Sequence, residues 1–182
     1  MRAMVEMSIY GVSFDLVGKQ PIVLLKTSDG NRYLPIWIGH PEAAAILMKL
    51  QGATAPRPLT HDLLVNILNE LEVEVLRVTV TELRENTFHA SITVQHNGSE
   101  LEIDSRSSDA IAVAVRAQVP IYAADEVIEE SAIEFEGEDV SEEDIVEEFK
   151  SFLDRVSAED FVEAESEVEH EVETEEDEEE DA

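Results

Sequence analysis

Two stretches of this chain, 67 residues apart, carry one pattern. Leu34, Ile36, Glu42, Ala43, Ala45, Ile46, Met48, Lys49 and Gln51 match Leu101, Ile103, Asp109, Ala110, Ala112, Val113, Val115, Arg116 and Gln118 in order, without a gap. Every match is an identity or a like-for-like swap. Asp29-Gly30 and Asn97-Gly98 precede the two blocks at nearly the same distance, and both pairs suit tight hairpin turns. An internal duplication explains this better than chance alternation of apolar residues. It gives two strand-strand-strand-helix units in one chain. The fold class that follows is α+β, a mostly antiparallel sheet packed with helices. Glu42 and Asp109 fall at equivalent positions in it.

The second copy shows what such a unit builds at its end. Asp104 to Val115 reads as a strand running into a helix, with Leu101 and Ile103 alternating with polar neighbours just ahead. Ser107 or Ser108 is expected to cap that helix by accepting from its first free backbone N–H groups. Asp109 then sits against the positive end of the helix dipole. Arg106 and Asp109 are held on a rigid corner rather than on a loose loop.

Along the chain, Val5, Met7 and Ile9 alternate with polar residues, and Val12, Phe14 and Leu16 continue on the opposite parity. The slip at Tyr10-Gly11 predicts a bulge. Ile22 to Leu25 reads as a well-covered strand, and Tyr33 to Ile38 as a third, part of it at an edge because Pro35 has no N–H to donate. A helix opens at His40-Pro41-Glu42 and runs to about Leu50. After a proline-stiffened linker, Thr60 is expected to cap a helix starting at His61-Asp62, with Leu64, Ile67, Leu68 and Leu71 as one apolar stripe. Strands follow over 73–80, 87–94 and 99–103. In the middle one Phe88, Ala90, Ile92 and Val94 face the core. A helix over about 108–118 comes next, and Val119 to Tyr122 closes the unit as a short strand or edge. Trp37 reads as a core residue.

The expected division is a folded domain over 1–128, a linker and amphipathic helix over 129–162, and a disordered acidic tail over 163–182. Ile145, Phe149, Phe152 and Val156 form the seam of that helix, which needs a surface to dock on. Charge follows the same division. Residues 1–125 carry 10 Lys/Arg and 15 Asp/Glu, whereas 126–182 carry 2 and 28, so the overall −31 resides mostly in the tail. Such a tail repels nucleic acid over roughly a Debye length of ~8 Å. The chain has no cysteine, which excludes disulfides and thiolate metal sites. It has no membrane-length apolar run and no signal-peptide pattern, so the expected location is the cytoplasm, with no membrane partner. An open sheet edge and an apolar seam point to self-association, most simply as a homodimer.

Three motifs in order, Leu34-Pro35-Ile36-Trp37-Ile38-Gly39 with Glu42-Ala43, Pro56-Arg57-Pro58-Leu59-Thr60-His61-Asp62-Leu63, and Ser105-Arg106-Ser107-Ser108-Asp109-Ala110, resemble the bifunctional nuclease domain family. The resemblance covers about residues 4–128. Glu148 to Asp154 is similar to the end of actinobacterial members. Membership implies an α+β fold with a duplicated unit, and cleavage of RNA and DNA, as reported for some plant members. Two positions depart from the family pattern: Ser107 stands where proline is common, and His89 adds a titratable ring.

Phosphodiester hydrolysis needs in-line attack, charge neutralisation at phosphate and a proton acceptor. The residues here that supply them are Glu42, His61, Asp62 and Asp109 as catalytic candidates, with Asp104 nearby, and Arg57 and Arg106 for phosphate. If the repeats pack about a pseudo-twofold axis, Glu42 and Asp109 converge, and a divalent Mg or Mn ion between them is the expected cofactor. No recognised nuclease or zinc spacing is present. Each residue also has a plain structural reading. A first-turn acid favours the helix dipole, His61-Asp62 is an ordinary helix start, and Arg106 beside Asp109 is a local ion pair worth roughly 0–1 kcal/mol if exposed. Two readings therefore stand: a nuclease acting on RNA or DNA, or a non-enzymatic binding or regulatory module whose polar corners fix the fold.

Overall fold

The computed structural model describes residues 3–14, 20–28 and 30–134. The apolar seam of Ile145 to Val156 and the acidic tail lie outside them. One eight-stranded sheet carries four helices. The chain order is β1 (Met4–Phe14), β2 (Pro21–Thr27), β3 (Arg32–Trp37), α1 (His40–Leu50), α2 (Thr60–Glu70), β4 (Glu74–Arg84), β5 (Thr87–His96), β6 (Ser99–Arg106), α3 (Ser107–Ala117), β7 (Ile121–Ala124), α4 (Asp125–Ser131) and β8 (Ile133–Glu134). Both bounds of α3 fall 67 residues after those of α1, the spacing of the sequence repeat.

The duplication is visible in the strand order, β6-β5-β4-β7-β1-β2-β3-β8. β1-β2-β3 and β4-β5-β6 flank β7 as mirror-ordered triplets. β4 runs parallel to β7 and β1 antiparallel to it, so β1 and β4 run in opposite directions. That is what a pseudo-twofold axis normal to the sheet requires. It also brings α1 and α3 against each other on one face. The inserted helix α2 packs on α3 and β4.

The register of β1 on β2 shifts between Ile9 and Gly11, the bulge anticipated there. Ile22, Val23, Leu24 and Leu25 are all buried, as are Phe88, Ala90, Ile92 and Val94. The two-residue turn between β5 and β6 holds Asn97 and Gly98 both at positive φ (50° and 78°), a combination that an Asn-Gly pair adopts with little steric cost. β8 covers β3 only at Arg32 and Tyr33, so the stretch holding Pro35 lies at an edge.

Three expectations need correction. Val119 to Tyr122 does not form an edge; β7 is central, paired on both sides, and Ala123 is fully buried. The two copies also differ in burial, a point the sequence left open: Leu101 and Ile103 are exposed, whereas their counterparts Leu34 and Ile36 are sealed. The reason is what lies beyond each strand: β8 and α4 lie against β3, while β6 ends the sheet and α2 packs elsewhere. The stripe on α2 is divided. Val65 and Leu68 pack on the core, whereas Leu64, Ile67 and Leu71 face outward with Leu63. The helix caps also differ: the N-cap residues are Leu59 and Arg106, without a side-chain cap from Thr60, Ser107 or Ser108. Val127 and Ile128 of α4 are buried, and the short β8 that follows pairs with β3. No helix among the described residues is long and apolar enough to cross a membrane.

Candidate functional site

The strand-to-helix corners of the two repeats meet where α1 and α3 begin. Arg106, the N-cap of α3, reaches across the pseudo-twofold axis. Its Nη2 donates to Glu42 Oε1 at 2.8 Å, and its Nε donates to Asp109 Oδ2 at 2.8 Å. The other Asp109 oxygen, Oδ1, lies 2.9 Å from His61 Nε2, in the first turn of α2. A chain of charge-assisted contacts therefore runs Glu42–Arg106–Asp109–His61 through three sequence-remote segments. Gly39 makes room for it, because a Cβ there would collide with the Glu42 carboxylate.

Burial is uneven along this chain. The Glu42 side chain is 13% exposed and His61 12%, whereas Arg106 is 63% exposed and presents its guanidinium outward. Burial works against the Asp109 carboxylate, but hydrogen bonds from Arg106 and His61 outweigh it and hold its pKa below the ordinary value. Asp109 is thus ionised at neutral pH and can only accept. A neutral His61 must then carry its proton on Nε2, leaving the Nδ1 lone pair available, and Nδ1 has no hydrogen-bond partner among the described residues. The proton on Arg106 is held more tightly than usual, chiefly by Asp109 and then by Glu42.

Asp62 is not part of this chain. Its Oδ2 accepts from the Leu59 N–H at 2.8 Å, which ties down the start of α2, and its Oδ1 accepts from Arg116 Nε at 2.7 Å. Arg116 is 4% exposed and also donates to the carbonyls of Ala112 and Ala45, so it ties α3, α1 and α2 together. Burial opposes the Asp62 charge, yet the Leu59 and Arg116 contacts prevail and its pKa is lowered too. Arg57 is exposed and lines a separate cleft of about 280 Å³ with Lys49, Asp62 and Arg116. Asp104 is exposed on edge strand β6, opposite Ser91.

Linkage gives a testable pH dependence. Asp62 and Asp109 both have lowered folded-state values, so their stabilisation is complete above the unfolded carboxylate pKa, about 3.9, and is lost as pH falls toward the folded values. The melting temperature is expected to fall on acidification below about pH 4, and to fall less steeply in Asp109→Asn. A series of thermal melts from neutral pH downward checks this.

The donor set for the expected metal is otherwise engaged. Glu42 and Asp109 hold a guanidinium between them, and both Asp109 oxygens are already bonded. Among the described residues no group of three or more His, Asp or Glu side chains is placed to hold a metal ion. The corner as arranged suits an arginine, not a divalent cation.

Sequence reasoning did not single out Arg116, whose only signal was its match to Lys49 across the repeat. It also placed Trp37 in the core. Trp37 is instead half-buried and lines a cleft of about 230 Å³ beside Arg106.

A model of the family described as the bifunctional nuclease domain matches residues 23–136. An uncharacterized protein of Mycobacterium tuberculosis strain H37Rv is 40% identical over 162 residues, spanning 86% of this chain and 97% of its own length. Two Oryza sativa subsp. japonica proteins, named bifunctional nuclease 1 and 2, are 28% and 26% identical over 103 and 106 residues. These stretches cover 54% and 56% of this chain but only 31% and 33% of the rice proteins.

Proposed function

Since this chain belongs to the bifunctional nuclease domain family, we propose that it is a nuclease hydrolysing phosphodiester bonds in RNA, DNA or both, with its active centre at the α1–α3 corner. The observation that carries the reading is the chain Glu42–Arg106–Asp109–His61, in which a base, its orienting carboxylate and an exposed cation adjoin. Asp109 fixes the ring of His61, and Nδ1 accepts the proton of the attacking oxygen, from water or a ribose 2′-hydroxyl. Arg106 has an Nη1 arm with no partner among the described residues, and it faces the charge that grows on phosphate. Glu42 keeps the guanidinium in place. Asp62 acts through position, by fixing the start of the helix that carries His61. Arg57 supplies a more distant phosphate contact from the second cleft.

The test is digestion of labelled single-stranded RNA and DNA, with and without a chelator, beside Asp109→Ala and Glu42→Ala purified identically. Both variants are expected to lose cleavage while keeping the wild-type far-UV circular dichroism and a cooperative melt. Undiminished cleavage by both places the activity elsewhere. The chelator arm decides whether a divalent ion takes part, for which the donor set at Glu42 and Asp109 offers no step.

One feature favours a non-enzymatic binding or regulatory module: every charge in the chain already faces an opposite one, as in a structural brace. That reading requires purified wild-type protein to cleave nothing. We further propose a cytoplasmic homodimer, supported by the open β6 edge with Leu101 and Ile103 and by the outward Leu63, Leu64, Ile67 and Leu71 of α2. Sedimentation is expected to give a dimer that Ile67→Glu and Leu71→Glu together convert to monomer; an unchanged mass contradicts it.

A further inference from the structure

We propose that the cleft between Trp37 and the start of α3 binds a phosphate oxyanion, as carried by a nucleotide. The two serines that open α3 carry the argument. Ser107 and Ser108 are 94% and 93% buried, both line this cleft, and neither side chain has a hydrogen-bond partner among the described residues. Neither hydroxyl is sealed from solvent, so both open onto the cleft and can donate to an oxygen that enters it. Their backbone lies in the first turn of an eleven-residue helix that no side chain caps, so its leading N–H groups are open as well.

The charge pattern fixes the ligand's sign. Arg106 is the only charged residue lining the cleft among those described, and no carboxylate lines it. Asp109 is turned to His61 and Arg106, leaving the helix end unopposed on the cleft side. Gln20 and Thr87 add polar groups on the facing rim, while Trp37 and Phe88 provide apolar walls suited to a base or ribose. Because Arg106 belongs to both, the cleft would hold a phosphate of the strand next to the one being cleaved. That role rests on the nuclease reading; binding itself does not.

Trp37 is the single tryptophan of the chain, so its emission reports directly on this cleft. The full-length protein is titrated with inorganic phosphate, with a 5′-phosphorylated single-stranded oligonucleotide and with its 5′-hydroxyl twin. Saturable changes in emission with the strands, competed by inorganic phosphate, are expected. Affinity is expected to fall several-fold in Ser108→Ala and at least tenfold in Ser108→Asp, which puts a carboxylate among the donors. A tenfold preference for the phosphorylated strand assigns the cleft to a terminal phosphate, and equal binding assigns it to an internal one. No emission response to any probe overturns the proposal, as does wild-type affinity in Ser108→Asp. If Ser108→Asp fails to fold, unchanged affinity in Ser108→Ala overturns it instead. Binding without cleavage by wild-type protein defeats the nuclease reading alone, and cleavage without an emission response defeats the phosphate cleft alone.

Discussion

His61→Ala is expected to lower the rate of phosphodiester cleavage by about 10²- to 10⁴-fold, the usual contribution of a positioned general base. The loss should appear in kcat more than in KM, because the proposed role of His61 is to take the proton of the attacking oxygen, with the phosphate contacts assigned to arginines. Stability should change little. Removing the ring frees one Asp109 oxygen, but that carboxylate is 30% exposed and keeps its bond to Arg106. A variant that unfolds would show a structural histidine, and one that cleaves at the wild-type rate would move the base elsewhere. Single-turnover cleavage with melting curves alongside separates these outcomes.

Arg116→Met is expected to give the largest loss of stability. Its guanidinium is 4% exposed and serves Asp62, the Ala45 carbonyl and the Ala112 carbonyl at once. Methionine fills the volume but donates nothing, so a carboxylate and two carbonyls lose their partner. Breaking a buried pair from one side costs roughly 3–5 kcal/mol, and the 35% exposure of the Asp62 side chain puts this case near the lower end, about 3 kcal/mol. For a unit of this size that is a melting temperature lower by about 10 °C. Denaturant unfolding of the two proteins measures it. A loss below about 1 kcal/mol would mean that water replaces the guanidinium at no net cost.

The sequence repeat carried much of the architecture because duplication constrains geometry as well as composition. Once α1 and α3 were recognised as copies, their adjacent starts followed from a twofold arrangement, and the approach of Glu42 to Asp109 with them. The agent of that approach was less legible. Arg106 read as a local partner of Asp109, three residues away, and its reach to Glu42 depends on the packing of the two copies. Non-local pairing also decides the elements that local pattern leaves open. Ile121 to Ala124 is too short and too small in side chain to declare itself central, and it is central because it fills the seam between the copies. Leu101 and Ile103 have the alternation of a core strand, yet exposure is set by what lies beyond a strand, and nothing in β6 itself encodes that. The acid-rich run Asp125 to Ser131 conceals a core helix because only Val127 and Ile128 carry its packing. Asp62 kept the signature of a helix start, and its plain structural reading describes its contacts; the same reading was available for His61, whose side chain turns instead to Asp109.

The most direct measurement is a double-mutant cycle on kcat/KM with His61→Ala, Asp109→Asn and the double variant. If the carboxylate works by holding the ring, the double variant is no slower than the slower single one, and the two effects fall far short of adding. Fully additive losses would mean that His61 and Asp109 act independently, contradicting an active centre assembled from the two corners.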